Sequence, residues 1–126
     1  MIDIDFTLDK GVLTVRFHGT VTDREFMDLA AKIADFEPMS DALLYLDWLA
    51  IDRWASCAPK ANREDVWRKA SQVIKRVAIV HDRRLNRQAA WLAAVLRDEG
   101  IKVRSWQPEN AAAGAVWLRM PTAKYS

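Results

Sequence analysis

The sequence predicts an α/β domain with a largely parallel sheet, and three consecutive stretches carry that prediction. Residues 77–80 form a continuous apolar run bounded by charge, which is typical of a strand covered on both faces. Residues 85–99 place apolar side chains at helical spacing and end at Gly100, a common helix C-terminal residue. Residues 101–106 then predict another short strand. A strand, a helix and a strand in this order form a βαβ unit, which almost always has a right-handed crossover.

The chain begins with two alternating stretches that predict a β-hairpin. Residues 2–6 alternate apolar side chains with aspartates, and residues 12–17 alternate again after the turn sequence LDKG at 8–11. Two such stretches joined by a tight turn pair antiparallel, so we expect the first strand to run against the second. We expect Gly19 to end the second strand.

The first helix has a clear start signal. Thr22 and Glu25 have the spacing of a capping box, which predicts a helix over the segment TDREFMDLAAKIAD. Pro38 then ends this segment. The remaining predicted elements are a strand at 42–48, an irregular apolar segment at 49–62, a helix from Asn62, a strand at 76–82, a helix at 85–99, a strand at 101–106 and a last helix at 109–119.

Length, charge and cysteine content narrow the class of protein. The 126 residues predict a single domain over 1–126, and the net charge of +2 is too small to indicate a nucleic-acid-binding protein. Cys57 is the single cysteine, which excludes an internal disulfide and favours a reducing compartment. The acidic start is unlike a signal peptide, and no apolar run approaches the roughly 20 residues that span a bilayer. We therefore expect a soluble cytoplasmic protein that is not integral to a membrane.

The full predicted order is β-β-α-β-α-β-α-β-α, with a mixed five-stranded sheet, its first strand antiparallel and the rest parallel, and about four helices. Four segments occur along it: GTVTDREF, LLYLDW, KRVAIVHD and AAGAVWL. In this order they resemble the SpoIIAA-like family, small bacterial relatives of STAS domains that share a fold with CRAL-TRIO (Sec14-type) lipid carriers. The resemblance extends over roughly residues 10–119 and implies a SpoIIAA-like fold.

The resemblance also implies two kinds of partner. STAS anti-sigma-factor antagonists bind a kinase and carry a phosphorylatable Ser or Thr after the third strand. This chain lacks the usual Asp-Ser-Ser/Thr signature there, and Ser56 is the hydroxyl that the following segment offers. The likeness to lipid carriers implies instead an apolar ligand.

The six tryptophans are the least ordinary feature of the composition. Trp91 and Trp117 lie inside helical apolar patterns, which predicts core positions. Three further tryptophans, together with two aliphatic residues, lie in the segment that begins at the third strand and in the helix after it. This ligand-binding set is Trp48, Leu49, Ile51, Trp54 and Trp67.

The ligand-binding set has three interpretations: a pocket, a dimer interface, or additional core beneath a long loop. A small monomer seldom leaves so apolar a surface in water. We therefore expect a homodimer whose interface includes at least one of Trp48, Trp54 and Trp67.

Polar residues lie where the predicted parallel strands end, which is where open α/β sheets bind ligands. His18, Asp47, His81 and Asp82 are placed there and could form a metal site or an acid–base pair. Their spacing matches no metal motif. We therefore predict no metal, and expect Asp82 to cap the next turn and Asp47 to accept hydrogen bonds from loop amides.

A basic cluster also lies at the start of a predicted helix. Arg83, Arg84 and Arg87 could bind a phosphate or a lipid headgroup there, because helix N-termini attract anions. The alternative is a solvated basic turn paired with nearby carboxylates.

Together these patterns predict a non-enzymatic binding domain without a cofactor, whose partner is an apolar or amphiphilic small molecule or a protein. One alternative is a regulatory module that binds a kinase and is switched at Ser56. Another is a small enzyme that uses His18 or His81.

Overall fold

The computed structural model describes residues 2–9, 12–35, 42–55 and 60–119. Its strands are β1 (Ile2–Asp9), β2 (Val12–Thr22), β3 (Ala42–Ala55), β4 (Ile74–Val80) and β5 (Lys102–Trp106). Its α-helices are α1 (Asp23–Ala34), α2 (Lys60–Ala70), α3 (Asn86–Asp98) and α4 (Ala111–Arg119). Short 3₁₀ turns precede β4, α3 and α4. The predicted α/β class is confirmed, as are the four helices within the described residues.

The strands lie in the sheet in the order β1-β2-β3-β4-β5. Strands β2 to β5 are parallel neighbours, and this part of the predicted arrangement is confirmed. Strand β1 pairs antiparallel with β2, from Ile2 opposite Phe17 to Asp9 opposite Val12.

The prediction of an irregular segment at 49–62 is wrong for its first half, because β3 continues to Ala55. Two β-bulges explain why the sequence pattern did not predict this part of the strand. Both bulges place an extra residue in β3. The first lies between the pairs Arg16–Asp47 and His18–Ala50, where β2 advances by two residues and β3 by three. The second lies just before Arg53, where β2 advances by one residue and β3 by two. Each extra residue shifts the alternation of side chains by one position, so the alternating pattern that predicts a strand is lost. The next helix begins at Lys60 rather than Asn62.

The prediction that Gly19 ends the second strand is also wrong. Strand β2 continues to Thr22, and Gly19 lies within it at a φ of +65°, beside the second bulge. Glycine adopts this left-handed conformation without the steric cost that a side chain adds, so the strand bends there and continues. Beyond Asp47, which pairs with Val80, β3 has β2 as its paired neighbour in the described structure. Strands β2 and β3 therefore extend past β4 as a two-stranded ribbon.

The two faces of the sheet are covered unequally. Helices α1 to α3 pack together on one face, where the larger hydrophobic core includes Val15, Leu46 and Ile79. Helix α4 packs against β3, β4 and β5 on the other face, where a smaller cluster forms around Ala78 and Leu118. Val77–Val80 is fully buried, as the continuous apolar run predicts.

The predicted capping box opens α1. The Glu25 backbone N–H donates to Thr22 Oγ1 at 3.1 Å, and the Thr22 N–H donates to Glu25 Oε1 at 3.2 Å. None of the helices in the described ranges combines the length and the apolar character that a membrane crossing needs.

Candidate functional site

The tryptophans of the ligand-binding set join a cluster of aromatic rings between the sheet and helices α1 and α2. Phe26, on α1, lies at its centre, with ring centroids 4.5 Å from Trp67, 4.9 Å from Trp54 and 5.9 Å from Trp48. Trp48, Ile51 and Trp67 are at most 1 % exposed, so in this conformation they offer no surface to a ligand. Of the three interpretations of the set, additional core is the one that fits these three residues in the structure.

Trp54 holds the end of the ribbon against helix α1. Its indole Nε1–H donates to Asp23 Oδ1 at 2.8 Å, and Asp23 is buried at the first residue of α1. The Trp54 ring also packs edge-on against Phe26. Leu49, the remaining member of the set, is 39 % exposed. A ligand pocket formed by the set stays a prediction, and it requires these rings to separate.

The burial of these rings also bears on the predicted homodimer. The expectation depended on an apolar surface that the chain leaves uncovered, yet the chain itself buries Trp48 and Trp67 and half-buries Trp54. The homodimer stays a prediction, with Leu49 as the exposed apolar residue of this set. Ser56, the predicted phosphorylation site, lies outside the described residues.

The predicted anion-binding arginines have different environments. Arg84 donates to the Ile51 and Asp52 carbonyl oxygens at 2.8 and 3.1 Å and forms an ion pair with Asp82 at 2.9 Å. It thus ties the ribbon to the turn after β4. The hydrogen bond from Arg84 lowers the pKa of the Asp82 carboxyl. Arg83 and Arg87 are exposed, and their anion-binding role stays a prediction.

Two expected hydrogen bonds at the strand ends are confirmed. Asp82 accepts from the Arg84 backbone N–H at 2.9 Å and caps the next turn, and Asp47 accepts from the Leu49 N–H at 3.1 Å. His18 and His81 line separate grooves, so the structure does not join them in one site. Within the described ranges, no group of three or more His, Cys, Asp or Glu side chains could hold a metal ion.

A groove that no sequence pattern indicated lies between α4 and β5. The groove has a volume of about 450 Å³, and its walls are formed by Arg104, Trp106, Ala112, Ala113, Val116 and Trp117. The Trp106 and Trp117 ring centroids are 5.3 Å apart. The prediction that Trp117 is a core residue is therefore only partly right, because its half-buried ring faces this groove.

Charge and close packing shape this α4 groove. The Arg104 guanidinium carbon lies 5.3 Å from the Trp106 ring centroid and 5.9 Å from that of Trp117. Arg76 lies 5.6 Å from the Trp117 ring and donates to the Trp117 carbonyl at 3.1 Å. A Cβ on Gly114 would be 2.9 Å from Trp106, so glycine lets the helix approach the ring. The alternation of Arg104 and Trp106 along β5 is the sequence signal that places both on one face.

Comparison with known proteins supports the fold. No family model and no curated protein matches the chain. A solved structure of an uncharacterized protein of the DUF3478 family with a SpoIIAA-like fold, from Shewanella loihica PV-4, superposes with a TM-score of 0.61 at 17 % identity. The match covers 94 % of this chain and 92 % of that one. The resemblance drawn from the sequence is thus confirmed at the level of the fold, and the chain has a SpoIIAA-like α/β fold.

Proposed function

We propose that this domain acts by binding rather than by catalysis, and that its ligand is a small amphiphilic anion held in the α4 groove. The observation that carries the proposal is the position of Arg104 over the two indole rings of an open groove. An apolar wall with a cation at its rim matches a molecule that has an apolar body and one negative group.

The size and composition of the groove support this class of ligand. Its volume of about 450 Å³ falls in the range of pockets that bind small molecules, roughly 300–1,000 Å³. Val116 is 64 % exposed, and no carboxylate is among the residues that form the walls. An alkyl or aromatic body placed there would cover Val116 and the ring faces, which is favourable in proportion to the apolar area removed from water.

The charge of Arg104 gives the groove its selectivity. Within the described residues Arg104 has no carboxylate partner within ion-pair distance, so its charge is available to a ligand. The two rings beneath hold the guanidinium by cation–π attraction and limit its freedom before a ligand binds. A carboxylate or sulfonate is therefore preferred over a neutral headgroup of the same length.

The test uses decanoate and its neutral counterpart decanol as probes, with the indole N–H signals of the six tryptophans as reporters. Decanoate is expected to shift the signals of Trp106 and Trp117, which form the groove, and to leave those of Trp48 and Trp67 in place. Arg104→Gln should weaken decanoate binding by up to about fivefold, as expected for an exposed ion pair. The same change should not alter decanol binding.

Arg24→Gln is the matched control, because Arg24 is an exposed arginine on α1, on the other side of the sheet. Shifts confined to Trp48, Trp54 and Trp67 would contradict the proposed site and support a ligand within the aromatic cluster. Equal loss of binding in the Arg24 and Arg104 variants would show a general charge effect.

A further inference from the structure

A second groove lies on the opposite side of the sheet, at the carboxyl ends of β4 and β5 and against α3. Its volume is about 330 Å³. Three alanines of α3 line it, Ala89, Ala90 and Ala93, and their small side chains leave the space open above the strand ends. Parallel α/β sheets bind ligands beyond the carboxyl ends of their strands, so this groove is in a favourable position.

His81 is the most buried polar residue of this groove, with 2 % of its surface exposed. Its Nδ1 lies 2.7 Å from the Asp82 carbonyl oxygen. A carbonyl oxygen can only accept, so Nδ1 carries a proton, and in the tautomer that this contact selects Nε2 is an acceptor. Within the described part of the chain, the Nδ1 contact is the hydrogen bond that this ring makes. The His81 backbone N–H also donates to the Trp106 carbonyl at 3.1 Å, which fixes the residue against β5.

The other polar groups of the groove are mainly donors. Arg97 contributes a guanidinium, one nitrogen of which donates to the Val103 carbonyl at 2.6 Å, so the side chain is held in place. Asn86, Ser105 and Gln107 add amide and hydroxyl groups. The residues that line the groove include one cation and no carboxylate. The groove thus combines a positive charge and several donors with the acceptor nitrogen of a buried histidine.

We propose that this His81 groove binds a small anion that also carries a hydrogen-bond donor, such as hydrogen phosphate or a phosphate monoester. The anionic oxygens accept from Arg97 and the neighbouring amide and hydroxyl groups. The remaining P–OH, or a hydroxyl of the esterified group, donates to His81 Nε2. A fully deprotonated anion cannot make that last bond, so it gains one hydrogen bond fewer in the groove. This proposal does not depend on the α4 groove, which lies on the other face.

The test compares inorganic phosphate with sulfate near neutral pH, where hydrogen phosphate retains a proton and sulfate has none. The chain contains two histidines, so the imidazole nitrogen signals of His81 can be followed with His18 as an internal reference. Phosphate is expected to shift the His81 Nε2 signal, and to bind up to roughly tenfold more tightly than sulfate because it makes one additional hydrogen bond. The His18 signals should not move.

A pair of variants on α3 separates this site from general anion binding. Ala90→Leu fills the groove from an exposed position and should abolish the His81 response, whereas Ala94→Leu, at an exposed position outside the groove, should preserve it. Far-UV circular dichroism checks that both variants are folded. The proposal is overturned if His81 does not respond to phosphate, if sulfate binds equally well, or if Ala90→Leu responds like the wild type.

Discussion

The two faces of the sheet differ in what covers them and therefore in what they can do. On one face, helices α1 to α3 enclose the aromatic cluster around Phe26, whose ring lies within 6.5 Å of five other aromatic rings. On the other face, the nine residues of α4 cover the middle of the sheet, and grooves remain on both sides of that helix. Tryptophans on the first face are packed among other rings, whereas Trp106 and Trp117 border an open groove.

This difference shows that what packs above an aromatic ring decides whether the ring is enclosed or left partly in water. Three helices cover the rings of the first face, so Phe17, Phe26, Trp48 and Trp67 are fully buried and Trp54 and Trp91 are half-buried. A single short helix leaves the rings of the second face partly in water. Two predictions test whether this contrast between the faces holds, and a third concerns the turn after β4.

The largest expected effect is that of Phe26→Ala. This change removes the ring at the centre of the cluster and leaves a cavity, so the free energy of unfolding should fall by about 3–5 kcal/mol. Trp117→Ala on the other face is the comparison and should lower it by about 1–2 kcal/mol, because that ring is only half-buried. Urea unfolding of both variants measures the difference. Equal losses would show that the α4 face contributes to stability as much as the aromatic cluster does.

Trp54→Phe should have an intermediate effect. The new ring still packs on Phe26 but cannot donate to the buried Asp23 carboxylate, and a hydrogen bond to a charged group contributes about 1.5–3 kcal/mol. Thermal unfolding should show this loss, whereas Trp117→Phe should change stability little. If Trp54→Phe unfolds at the wild-type temperature, the end of the ribbon does not depend on this bond.

The smallest effect on stability is expected in the turn after β4, where Asp82 forms an ion pair with Arg84. The hydrogen bond from Arg84 lowers the pKa of Asp82 below its ordinary 3.8 in the folded protein. A carboxyl with a lowered folded-state pKa adds stability above its unfolded-state pKa, and this contribution disappears as the pH falls through the folded-state value. Asp82→Asn should therefore be slightly less stable than the wild type at neutral pH, and the difference should shrink in acid. Thermal unfolding from pH 7 to about 2 tests this, and a constant difference would contradict it.

Features that depend on neighbouring residues could be predicted from the sequence. The capping box at Thr22 and Glu25, the buried run of β4 and the helix that ends before Gly100 each follow from a local pattern, and all are present. Their order was enough to indicate the SpoIIAA-like fold that the structural comparison supports. Local patterns suffice here because capping and amphipathic spacing are set within one or two turns of chain.

The tertiary structure decided which residues the aromatic cluster brings together. The sequence grouped Trp48, Trp54 and Trp67 because they lie in consecutive elements, but it could not show that all three rings pack around Phe26, because that residue comes from another helix. The bulges in β3 also depend on its pairing with β2, and they place Trp48 and Ile51 three residues apart on the inner side.

The two open grooves also depend on contacts between residues that are distant in the chain. At the α4 groove, Gly114 lets α4 lie close to Trp106, and at the His81 groove the small alanine side chains of α3 lie opposite the strand ends. The sequence by itself determined the helices, the buried strand and their order. Which rings are enclosed and which remain available to a ligand was decided by the packing of distant segments, because burial depends on what lies across the sheet rather than on neighbours in the chain.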